Sequence, residues 1–226
     1  MENKYSIDLA ELRLDFLQRK LEHEELTPGR RILQEDLQVR FATLKSLGIF
    51  TLFDLNEVLR TPKKVKEFAV QSGLPGHYLT VLRREVNSHK PQPFNLQKIP
   101  NIDLEMVQRL QECGIKNTRQ IIENASTPLE RTQLSRKSGL SQEKIWEFVS
   151  MADLARVYGV GPVFVRILFD AGINSLETLA NSEPSALYAQ VIAVNKEKGY
   201  TKIMPNVNDM RVCIEFARLL PVVLEA

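Results

Sequence analysis

Phe41-Ala42-Thr43-Leu44-Lys45-Ser46-Leu47-Gly48-Ile49 ends in a tripeptide pattern that the chain uses twice more, at Cys113-Gly114-Ile115 and Ala171-Gly172-Ile173. Three residues before each tripeptide stand Leu44, Leu110 and Leu168, and three before those stand Phe41, Val107 and Val165. That spacing places all of them on one buried helical face. The glycine suits the position just past a helix C-terminus, where φ is positive and a side chain would clash, and the isoleucine folds back on the last turn. Thr51, Asn117 and Ser175 follow as N-cap residues. Asp54 and Gln120 complete a capping box in the first two cases, whereas Thr178 does not in the third. Apolar Leu55, Ile121 and Leu179 then mark the next helix.

A second punctuation recurs at Thr61-Pro62, Thr127-Pro128 and Glu183-Pro184, where proline suits a first helical turn. Further stops follow at Ser72-Gly73-Leu74, Ser138-Gly139-Leu140 and Lys198-Gly199-Tyr200. Closing helices are expected over 78–86, 143–157 and 208–220, and no period-two strand pattern appears. The expected fold is all-α. It consists of three tandem units of about four short helices, helix-hairpin-helix-like in the SAM-domain sense, plus an N-terminal helix over 8–21. The expected domains are residues 1–26 as the N-terminal helix packed on unit one, 27–90 as unit one, 94–150 as unit two and 151–226 as unit three. His89-Lys90-Pro91-Gln92-Pro93 breaks helical continuity and suggests a two-part layout, whereas Trp146 to Val157 reads as one helix shared by units two and three.

Composition narrows the function classes. With 226 residues and 43% hydrophobic content the chain can build a sizeable core, and a net charge of +2 does not announce a DNA-coating protein. The basic excess is concentrated in residues 27–94, with 11 Lys and Arg against 6 Asp and Glu, while residues 151–226 are slightly acidic. Cys113 and Cys213 sit far apart in apolar stripes and read as buried free thiols. The acidic N-terminal segment has no signal-peptide core and no run spans a bilayer, so the expected location is cytoplasmic, with no membrane contact.

One motif carries possible chemistry. Leu154-x-x-Val157-Tyr158-Gly159-Val160-Gly161-Pro162-x-Phe164-x-x-x-Leu168 resembles the helix-hairpin-helix signature. That resemblance implies a glycine turn bringing backbone N–H groups at the next helix's N-terminus against a DNA or RNA phosphate. Absent side chains allow close approach, the helix end supplies unpaired donors, and the contact is sequence-neutral. The competing reading is that the same turn merely packs two helices closely. Arg166 is the nearest obvious cation. Leu96-x-x-Ile99-Pro100-Asn101-Ile102-Asp103 is a degenerate copy whose carboxylate would repel phosphate, and unit one has no copy.

The second candidate is the cluster Lys63, Lys64, Lys66, Arg83 and Arg84, which could neutralise backbone phosphates or be a plain solvated face. Its aromatic content is too low for a single-strand stacking platform. Catalytic readings lack partners. Ser141-x-x-Lys144 is better explained by Ser141 as an N-cap, and His23, His77 and His89 have no metal-ligand spacing. Arg136-Lys137-Ser138-Gly139 lacks the upstream glycines of a phosphate-binding loop, and Trp146 reads as core.

Residues 159–162 with Ala171-Gly172-Ile173, the closing helix over 208–220, Arg30-Arg31-Ile32-Leu33 and Leu82-Arg83-Arg84-Glu85-Val86-Asn87-Ser88 resemble the bacterial family domain of unknown function 4332. The resemblance spans nearly the whole chain. It implies tandem helix-hairpin-helix-like repeats and no settled activity. The expected function is a non-enzymatic module that binds DNA or RNA backbone, without cofactor, metal or small-molecule substrate. The alternative is a protein-binding scaffold whose repeats are purely structural.

Overall fold

Each glycine-isoleucine corner closes its helix through the same pair of backbone hydrogen bonds. In the computed structural model, which describes residues 5–225, the Ile49, Ile115 and Ile173 N–H groups donate to the Leu44, Leu110 and Leu168 carbonyls at 3.1, 2.9 and 3.0 Å. The Gly48, Gly114 and Gly172 N–H groups donate to the Lys45, Gln111 and Phe169 carbonyls. Their φ values of 83°, 86° and 84° are what this closure requires, and few residues other than glycine accept them. The three leucines are fully buried and the three isoleucines nearly so, so each corner also plugs a core.

The described residues are all-α. No strand forms among them, and extended pairing is confined to the isolated bridges Arg13↔Thr51 and Asn95↔Asn117. Two compact units divide the chain at Lys90 and Pro91, with Tyr5 and Ser6 belonging to the second.

The unit Ile7–Lys90 holds α1 (Leu14–His23), a 3₁₀ turn (Pro28–Leu33), α2 (Leu37–Ser46), α3 (Leu52–Leu59), α4 (Pro62–Ser72) and α5 (Gly76–Ser88). Helix α3 packs on both α4 and α5, and α1 packs on α2. Leu17, Phe41, Leu44, Leu52, Leu55, Tyr78 and Leu82 meet at zero exposure, each leucine contributing about 1.5–3 kcal/mol on burial. A buried ionic cluster joins this core: Lys20 of α1 pairs with Glu85 of α5 and with Glu24, and Arg30 bridges the same two carboxylates.

The second unit holds a 3₁₀ turn (Leu96–Lys98), α6 (Leu104–Glu112), α7 (Thr118–Ala125), α8 (Pro128–Ser138), α9 (Gln142–Leu154), α10 (Pro162–Asp170), α11 (Leu176–Ala180), α12 (Pro184–Lys198) and α13 (Val207–Leu219). Helix α9 is its spine, packing on α7, α8 and α10, while α13 covers α11 and α12. Arg156, just past α9, is fully buried. It pairs with Asp153 and donates to the Tyr5 carbonyl at 3.3 Å and the Pro221 carbonyl at 2.7 Å.

Several local expectations need correction. The helix expected over 8–21 begins only at Leu14, because Asp8 closes a turn with Ala10 and Glu11, and residues 12–14 spend their backbone groups on residues 50–52. The helix expected over 143–157 ends at Leu154, where Arg156 turns back to Asp153. Trp146, expected in the core, is 39% exposed. The buried stripe of α9 runs through Ile145, Phe148, Val149 and Ala152, and Trp146 lies off it under the Arg131 guanidinium, 4.8 Å from its ring. Cys113 is only partly buried, whereas Cys213 is buried and its thiol is pushed up to about 12 by that burial. Among the described residues no helix is long and apolar enough to cross a membrane.

Candidate functional site

The turn between α9 and α10 is built from one exposed, one buried and one half-buried residue. Gly159 sits at its tip with φ 78° and is exposed. Val160 points inward at 5% exposure, its N–H donating to the Val157 carbonyl at 3.1 Å, and so anchors the turn from below. Gly161 is the N-cap residue of α10, with φ −87° and ψ −178°, ordinary extended backbone open to any residue. A Cβ added at Gly159 or at Gly161 would meet nothing within 4 Å. Neither glycine is therefore there to let helices pack closely.

Gly161 shares with Arg13, Asp36 and Pro75, the residues before α1, α2 and α5, an α-helix start without a side-chain cap, whereas the remaining α-helix starts are capped. Thr51, Thr61, Asp103, Asn117, Thr127, Ser141, Ser175, Glu183 and Asn206 each cap their helices with a side-chain oxygen. Helix α10 has no side-chain cap, and its first turn carries Pro162, so the donors it offers are the N–H groups of Gly161, Val163 and Phe164. The related corner before α6 makes the contrast plain. Asn101 there takes φ 52°, but Asp103 accepts the Glu105 and Met106 N–H groups at 2.9 and 3.2 Å and answers the donors internally. If fold stability alone governed position 161, serine would serve better. We expect Gly161→Ser to raise stability by about 0.3 kcal/mol and Gly159→Ala, at positive φ, to lower it by about 1–2 kcal/mol. Urea melts followed by Trp146 fluorescence check this, and a marked loss in Gly161→Ser would mean the fold needs that glycine.

Arg166 lies one turn into α10, but its charge is already answered. It forms a two-pronged pair with Asp170 at 2.7 and 3.1 Å, and Tyr200 donates to the same carboxylate at 2.6 Å. Burial works against its charged form, yet the Asp170 contact outweighs it and holds the guanidinium above its ordinary range. Arg166 thus braces α10 against the segment after α12 and is not poised over the turn. What the turn offers an anion is therefore backbone donors and the helix dipole.

The basic cluster lies on α4 and α5 of the other unit. Lys63, Lys64, Lys66 and Arg84 are exposed and Arg83 is half-buried. Lys64 donates to the Glu57 carbonyl at 2.8 Å, Arg83 to the Arg60 carbonyl at 3.1 Å, and Lys63 stands 3.8 Å from Glu67. Lys66 and Arg83 line one cleft; Lys63, Lys64 and Arg84 lie outside it. His77 and Thr80, which sequence reasoning missed, also line it. The signal was present as the i, i+4, i+7 series Gly76, Thr80, Arg83 on one face of α5.

Ser141 caps α9, accepting from the Lys144 N–H at 3.2 Å. His89 is fully buried, its Nδ1 2.8 Å from the Glu85 carbonyl.

A family model described as Domain of unknown function (DUF4332) matches residues 100–220, more than half of the chain. No curated protein and no solved structure matches it.

Proposed function

Since the chain belongs to the family Domain of unknown function (DUF4332), which brings no activity with it, we propose from the geometry of residues 154–168 that it is a non-enzymatic module binding nucleic-acid backbone through a helix-hairpin-helix-like turn. One observation carries this reading. Gly161 opens α10 with uncapped donors, in open space, at a backbone conformation that does not call for glycine. A phosphate oxygen is the natural acceptor at such a helix start, and a missing side chain lets a polymer backbone come close. Backbone donors read no base edge, so binding is indifferent to sequence. The reading places the protein in the cytoplasm, with DNA or RNA as partner and the exposed lysines of α4 adding screened attraction.

The test separates fold from binding in a single variant. Gly161→Asp supplies the missing cap and should keep or raise the melting temperature, yet it sets a carboxylate where the phosphate would lie. Anisotropy with a labelled short duplex should show affinity falling between about 50 and 200 mM salt, and Gly161→Asp should weaken it about tenfold. Absent or salt-insensitive binding, or a Gly161→Asp protein that binds as wild type, would sink the proposal.

A protein-binding scaffold is the second reading. What favours it is the pair Phe50 and Phe53, about half exposed at the corner between α2 and α3 (52% and 49%).

A further inference from the structure

We propose that the cleft between α4 and α5 in the unit Ile7–Lys90 is a separate phosphate-binding site. Its volume is about 410 Å³, within the range of small-ligand sites, and Pro62 and Val65 contribute to an apolar floor. The charged groups lining it are Lys66 of α4 and Arg83 of α5, with His77 beside them, and no carboxylate takes part. A cleft of one sign with low-dielectric walls concentrates counter-charge.

Arg83 points to an oxyanion more directly. Its Nη2 is fixed on the Arg60 carbonyl, while its Nε is buried with no hydrogen-bond acceptor among the described residues. A buried guanidinium donor left unanswered is costly, and Arg83 is one of the residues lining the cleft in which an anion would sit. Lys66 makes no ion pair or hydrogen bond among the described residues, so its ammonium is available to the same anion. Gly76 adds an open wall: it has no positive φ, and a Cβ there would meet nothing within 4 Å. The cleft lacks a Phe, Tyr or Trp platform, so it has nothing to hold a base by stacking. Two cationic side chains beside a small apolar floor suit a phosphate group.

That phosphate belongs either to a nucleic-acid strand, in which case the inference rests on the function proposed above, or to a free phosphorylated small molecule. The experiment uses the full chain and nuclear magnetic resonance, with inorganic phosphate, adenosine monophosphate and a short duplex as probes. Inorganic phosphate should give saturable shifts at the Gly76 and His77 amides and at the Arg83 Nε–H, and sodium chloride at equal ionic strength should not. Arg83→Gln and the exposed Lys66→Gln should each weaken it about tenfold, the second without touching the fold. Displacement of phosphate by the duplex identifies the strand as the source. Saturation by adenosine monophosphate with no displacement by the duplex identifies a small molecule. Shifts that fail to saturate, that chloride reproduces, or that survive both substitutions overturn the site. Loss of duplex binding in Gly161→Asp, with phosphate shifts at the cleft intact, tests the α10 turn alone.

Discussion

Arg156→Ala is expected to cost the second unit about 3–5 kcal/mol, a large share of a typical total of about 5–15 kcal/mol. Three acceptors lose their Arg156 donor at once: the Asp153 carboxylate, which is left with the Leu176 N–H, and the carbonyls of Tyr5 and Pro221. Asp153 is 4% exposed, and burial already lifts its carboxyl above the ordinary range despite the Arg156 charge beside it. Without that charge its proton affinity rises further in the folded state and stays ordinary in the unfolded chain. The deficit should therefore shrink as pH falls toward the range where folded Asp153 takes a proton. Trp146, the sole tryptophan, lies on α9 of this unit and reports its unfolding. Urea melts near pH 7 and near pH 5 check both the magnitude and its pH trend. The double variant Asp153→Leu with Arg156→Met should recover only part of the loss. It removes the stranded carboxylate but still leaves two carbonyls without donors. A single variant that melts like wild type would show that the pair is dispensable.

What could be read from the sequence was set by the range over which each interaction acts. The glycine-isoleucine corners and the capping boxes at Thr51–Asp54 and Asn117–Gln120 involve residues three to five apart, so spacing alone announced them. The start of α1 was not legible, because its backbone pairs with residues near 50, far along the chain. Nor were the buried charges. Lys20 and Glu85 are 65 residues apart, Arg156 and Tyr5 are 151 apart, and a charged residue on a helix is ordinarily solvated. A hint existed in Arg156, which stands among Leu154, Ala155 and Val157 in a run otherwise nearly free of charge. The candidate turn was visible as a glycine pattern, but packing against a helix and facing open space predict the same letters. The open surroundings of Gly161 separate those two cases, and they depend on chain segments that no local motif encodes.

Acid should unfold the unit Ile7–Lys90 through His89 and Glu85, acting with the same sign. Burial pushes His89 down to about 4, helped by the nearby Lys20 charge and opposed by Glu85. The unfolded chain takes up a proton at this histidine near its ordinary value of 6.5, while the folded chain resists until about 4. Stability present above 6.5 is thus lost as pH falls across that window, by about 3 kcal/mol in full. Burial alone would raise Glu85, but Lys20, His89 and Arg30 overcome it and hold the carboxyl below its ordinary range. Its contribution is present above the unfolded value and disappears as pH falls through the lowered folded one, so it extends the loss further into acid. Glu24 also faces the pair, sharing Lys20 and Arg30 with Glu85. His89→Gln removes the imidazole proton and should flatten the stability profile between about pH 6.5 and 4, whatever its effect on absolute stability. Glu85→Gln should instead cost about 3–5 kcal/mol at neutral pH, because it leaves Lys20 buried with Glu24 as its remaining carboxylate partner. Hydrogen exchange at the α5 amides, followed against pH, distinguishes the two. A His89→Gln protein that keeps the wild-type slope would show that the imidazole charges freely in the fold.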